Sequence, residues 1–135
     1  MAADPSSSGF TFSVRVDEGR NVLYLTQIGV AEKEDQLRMF AEYERALARV
    51  RPGWVLLVDQ SEVRGFSDEA LEIGAQMVVR TGERGVGHVI RVKPRAPAMR
   101  IRITRVLITA RVTYETELVD TLEEAEAAVS AYLGR

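Results

Sequence analysis

Apolar and polar residues alternate from Phe10 to Val16 as F-T-F-S-V-R-V, the period of two that predicts a strand with one buried face. Asp17, Glu18, Gly19, Arg20 and Asn21 then bring turn chemistry, and Val22 to Ile28 read as a second strand ending at Gly29. So short a connection implies an antiparallel hairpin. Between Glu32 and Arg51 the period changes: Leu37, Phe40, Ala41, Leu47 and Val50 recur at helical spacing among Glu, Arg and Lys. Pro52-Gly53 stops this helix, and Trp54 to Val58 is a continuous apolar run of the kind buried on both faces of a sheet.

The second half repeats the rhythm. Ser67 is placed to cap a helix beginning at Asp68 and running to about Arg80, with Asp68 and Glu69 where the positive end of the helix dipole favours acids. Gly82, Gly85 and Gly87 make a permissive exit, and His88 to Val92 forms the next strand, ended by Pro94. Met99 to Ala110 fits two patterns, since Ile101 and Ile103 alternate with arginines while Met99, Ile103, Val106, Leu107 and Ala110 make one helical stripe. A helix is expected, because two parallel strands need a crossover. A last strand over Thr113 to Val119 leads to a helix from Leu122 to Leu133. The order is β-β-α-β-α-β-α-β-α.

With 135 residues, 46% of them hydrophobic, the chain suffices for one domain with one core, expected over 10–135 behind a flexible lead at 1–9. The 18 basic and 20 acidic side chains nearly cancel, which argues against nucleic acid as a partner. The absence of cysteine excludes disulfides, thiol nucleophiles and thiolate metal sites. The segment Ile101 to Val112, the most apolar, is broken by Arg102, Arg105 and Arg111, so no bilayer span or membrane partner is expected. The N-terminus lacks a secretory pattern, and a cytoplasmic location follows as an expectation.

The element order, together with the segment VLLVDQSEVRGFSDEALEIG, resembles the STAS family of anti-sigma-factor antagonists. The likeness in order covers about residues 10 to 133 and is specific around 55 to 74. That family carries an apolar strand ending in Asp, a Ser or Thr two residues later, a short loop, and Asp-Ser-Ser/Thr-Gly/Ala-Leu at a helix start. Asp59, Ser61, Phe66, Ala70 and Leu71 match by type. Ser67 falls on the family's Asp, and Asp68 on the serine that a partner kinase phosphorylates. A carboxylate offers no hydroxyl to phosphorylate, so the resemblance implies that this switch is missing at Asp68, or that Asp68 imitates the phosphorylated form with about half its charge. The fold implied is α/β, a STAS-like mixed sheet flanked by helices. The function implied is a non-catalytic regulatory module that binds a protein, an anti-sigma kinase-like one, through Ser61, Glu62, Val63, Phe66, Ser67, Asp68 and Glu69. On the residues alone, an ordinary capped helix start with acids in its first turn is the simpler account of Ser67, Asp68 and Glu69.

Other chemistry is sparse. His88 is the one histidine and has no companion for a metal site or a triad, so no metal, cofactor or catalytic residue is assigned. The glycines of 82–87 lead into a strand instead of opening a helix, and read as a turn rather than a phosphate loop. Asp59, at the carboxyl end of the central strand, stands where open α/β sheets hold ligands, which keeps a small-molecule or lipid-binding sensor or carrier as an alternative. Charge is uneven: Gly85 to Tyr114 holds seven Lys or Arg and no acid, and Glu115 to Arg135 six acids and one Arg. Ile101 and Ile108 lie off the main stripe of their helix, and a homodimer formed there is the third reading.

Overall fold

Asp17 and Asn21 shape the first turn. Asp17 Oδ1 accepts from the Arg20 amide at 3.1 Å, and Asn21 takes a left-handed φ of 59°. The computed structural model describes residues 9–134, so all of the expected lead except Gly9 lies outside the described residues. The turn joins β1 (Phe10–Asp17) to β2 (Val22–Ala31) in antiparallel register, Phe10 opposite Gly29 and Asp17 opposite Val22. β2 runs on past Gly29 to Ala31. Gly29 has a φ of 98°, and a Cβ there would stand 1.7 Å from the Gly9 carbonyl oxygen, so only glycine lets the two chains approach this closely.

Helix α1 (Lys33–Leu47) stops four residues before the expected Arg51. Its end tightens into i−3 hydrogen bonds at Ala48 and Arg49, and Asn21 takes over the backbone of Arg51, accepting from its amide at 2.9 Å and donating to its carbonyl at 3.1 Å. Pro52 disfavours helical geometry for the residue before it.

The remaining elements are β3 (Val55–Phe66), α2 (Asp68–Glu83), β4 (His88–Val92), α3 (Pro97–Thr109), β5 (Thr116–Val119) and α4 (Leu122–Leu133). The stretch read in the sequence as helix or strand is a helix. The five-stranded sheet has the order β1-β2-β3-β4-β5, antiparallel between β1 and β2 and parallel elsewhere. This is the mixed α/β architecture expected, with two further differences in extent. β3 has 12 residues instead of five, because beyond Asp59 it leaves β4 but continues along β2 through two register shifts, pairing Ile28 with Glu62 and Ala31 with Phe66. β5 begins at Thr116, since Arg111 turns left-handed (φ 53°) and Tyr114 packs against the interior before the strand starts.

Alternation along the strands divides the interior. Leu23, Leu25, Leu56, Val58 and Val89 meet α1, α2 and α3, whereas Val22, Tyr24, Val55, Leu57, Ile90 and Val92 meet Ala125 and Val129 of α4. Trp54, just before β3, is wholly buried, and its indole donates to the Arg84 carbonyl at 3.0 Å. The central strands are therefore covered on both faces, which is why they read as unbroken apolar runs.

Candidate functional site

Two places gather the residues that could do something: the corner where β3 hands over to α2, and the interior between the sheet and α1 to α3.

At the corner, Ser67 caps α2, its Oγ accepting from the Ala70 amide at 3.1 Å. The next residue, Asp68, leaves 97% of its side chain in solvent while one oxygen receives Arg102 Nη2 at 3.0 Å. Arg102 belongs to α3, and its Nη1 donates to the Phe66 carbonyl at 2.8 Å, so one guanidinium ties the end of β3 to the tip of α2. Upstream, Asp59 Oδ1 accepts from both the amide and the hydroxyl of Ser61, at 3.0 and 2.7 Å. The Ser61 carbonyl in turn receives the Arg95 amide at 3.2 Å. Asp59 is thus occupied in shaping its own strand.

The seven residues assigned to partner contact divide by the pleat. Glu62, Asp68 and Glu69 are exposed, Ser61 and Ser67 half-buried, while Val63 and Phe66 are 1% and 6% exposed and belong to the core. The strand conformation of 61–66, unforeseen in the sequence, is what turns those two inward. They hold the corner in place from beneath, and the surface it presents is acidic, flanked by the exposed Arg64.

The interior holds polar groups that the sequence reading passed over. Gln27 on β2, Gln60 on β3 and Arg91 on β4 share the face covered by α1 to α3, and Gln36 joins them from α1. All four are buried. Arg91 Nη1 donates to Gln60 Oε1 at 2.8 Å, Gln60 Nε2 to Gln27 Oε1 at 2.8 Å, and Gln27 Nε2 to the Met39 sulfur at 3.2 Å. Gln36 Nε2 donates to the Ala70 carbonyl at 3.0 Å. Beside them Tyr43 hydrogen-bonds Thr81, whose hydroxyl donates to the Met77 carbonyl at 2.8 Å. Burial raises the Tyr43 and Tyr114 phenols above their ordinary range and lowers Arg91 below its own. These groups line a cavity of about 70 Å³ closed otherwise by apolar side chains. Asp59, the ligand candidate of the sequence, is not among its walls, which take the neighbours Val58 and Gln60 instead. The signal was available as a lone arginine inside the apolar strand His88 to Val92.

His88 is buried at the start of β4, its ring stacked on Tyr132 at 4.6 Å and its Nε2 3.1 Å from Glu117 Oε1. Among the described residues no group of three His, Asp or Glu is arranged to hold a metal ion, and no helix is long and apolar enough to cross a membrane.

No protein-family model and no curated protein matches the chain. Solved structures do. An uncharacterized protein of the DUF3478 family from Shewanella loihica, described as having a SpoIIAA-like fold, superposes with a TM-score of 0.69 at 19% identity over 96% of this chain and 98% of its own. An anti-sigma factor antagonist from Mycobacterium paratuberculosis gives 0.58 at 18% identity, over 96% of this chain and 99% of that one. The class defined is the SpoIIAA-like, or STAS-like, α/β fold, and at these identities the likeness establishes the fold alone.

Proposed function

We propose that the chain is a non-catalytic regulatory module that recognises a protein partner through the corner formed by the end of β3 and the start of α2. The observation carrying this reading is the placement of Asp68: a carboxylate held in solvent at the first turn of α2 by Arg102, where the resemblance puts a phosphorylatable serine. Asp68 supplies there a fixed charge of about half that of a phosphoserine. That charge is permanent, since a carboxylate offers no hydroxyl for a kinase to phosphorylate. Glu62 and Glu69 extend the acidic surface, and a partner presenting Lys or Arg is the complement.

The similarity to an anti-sigma factor antagonist supports a protein as the partner class; an anti-sigma kinase-like protein in the cytoplasm is the kind of partner we propose. The test compares proteins retained from lysate by the wild-type chain, by Asp68→Lys/Glu69→Lys, and by Glu126→Lys on the opposite layer. A protein bound by the first and third but lost by the second supports the reading; equal retention by all three removes it.

A further inference from the structure

Arg91 is a guanidinium in the interior without an anion. It is 6% exposed, its Nε has no hydrogen-bond partner, and among the described residues no Asp or Glu pairs with it. Its one bond goes to a neutral amide, and the chain of amides behind that ends on a thioether. Arginine does not lose its proton in proteins, so the charge stays. A buried charge without a counter-charge costs several kcal/mol. The influences opposing its desolvation come from Tyr43 and Tyr114, phenols that burial itself keeps neutral.

The surroundings of Arg91 indicate what would offset that cost. The cavity beside it is lined on the helix side by Leu71, Met77, Ile103 and Leu107. Gln36 reaches the same cavity, and its Oε1 is a buried acceptor without a donor. An unmet cationic donor and an unmet neutral acceptor therefore border one apolar chamber. At about 70 Å³ it has room for roughly five waters, the scale of a small organic molecule.

We infer that this chamber binds a short-chain monocarboxylate, its carboxylate on the Arg91 guanidinium and its tail against the α2 and α3 side chains. A fork-shaped guanidinium matches a carboxylate, and no second cationic side chain lines the walls to meet another anionic group. A hydroxyl on the tail would give Gln36 Oε1 the donor it lacks. The chamber shares Phe66 with the underside of the corner but none of its exposed acids, so the two readings can succeed or fail independently.

The wild-type chain is titrated with butyrate, with the neutral isostere butyramide and with inorganic sulfate, following the side-chain amide resonances of Gln27, Gln36 and Gln60 by NMR. Saturable shifts with butyrate, and binding at least about tenfold weaker for butyramide and for sulfate, are expected. Hydroxybutyrate should bind more tightly than butyrate. Arg91→Met should reduce butyrate affinity by about tenfold or more, with Arg91→Lys between. Equal binding of butyrate and butyramide would leave only an apolar hole, and sulfate binding as well as butyrate would leave only a charge. Either result, or no shift with butyrate, overturns the inference, and these arms need no variant to fold.

Discussion

Arg91 Nη1 lies 2.8 Å from Gln60 Oε1, a hydrogen bond that ties β4 to β3 on the face that α1 to α3 cover. Among the described residues the amide oxygen is the one acceptor the guanidinium reaches, while Gln60 also donates to Gln27. Removing one partner therefore differs from removing both.

Gln60→Leu strips Arg91 of that acceptor and should cost about 2–3 kcal/mol, the penalty for an unsatisfied charged donor. Arg91→Met/Gln60→Leu should recover stability relative to Gln60→Leu alone, because an apolar pair of similar volume often does as well as a buried charge. Urea unfolding of the two single variants and the double variant measures the coupling. A double variant less stable than Gln60→Leu would mean that the charge itself stabilises the fold.

Tyr43 makes stability depend on alkaline pH. Thr81 donates to the Met77 carbonyl, so Tyr43 is the donor toward Thr81, and burial raises its pKa above the ordinary value near 10. A group whose folded pKa is raised contributes stability that is complete below its unfolded pKa and lost above it. The loss therefore begins above about pH 10 and proceeds at about 1.4 kcal/mol per pH unit for this one proton. Tyr43→Phe should be less stable by about 1 kcal/mol near neutrality, from the lost hydrogen bond, yet show a shallower decline above pH 10. Denaturant midpoints across the alkaline range, alongside tyrosinate absorbance, check both halves.

Ser67 tests the cap of the corner while leaving the Asp68 carboxylate in place. Ser67→Ala removes the oxygen that accepts from the Ala70 amide and should cost about 1 kcal/mol in thermal or urea unfolding. Ser67→Asp should keep the cap and lose little, since aspartate caps as well as serine. An alanine variant as stable as the parent would show that Arg102, through Phe66 and Asp68, fixes this corner alone.

The element order was legible because each change of hydrophobic period coincides with a change of structure, and the helix over 99–110 followed from the need for a crossover. The long β3 was not. Asp59, Ser61, Glu62 and Gly65 break apolar continuity as a loop would, and the pairing with β2 that keeps them extended is a non-local contact absent from local pattern. For the same reason Val63 and Phe66 were grouped with surface residues, although the pleat turns them inward. The buried polar chain was hidden differently, since Gln27, Gln60 and Arg91 lie far apart in sequence and become neighbours only through strand register. The exposed Asp68, by contrast, depends on a local cap and was readable from Ser67 onward.

The claim that this corner is the recognition surface is tested most directly by photo-crosslinking in cells, with benzoylphenylalanine placed at Glu69 on α2 or at Glu126 on α4. The account predicts a discrete protein adduct from position 69 that disappears when Asp68→Lys is added, and none of that size from position 126. The same adduct from both positions, or one indifferent to Asp68→Lys, would contradict it.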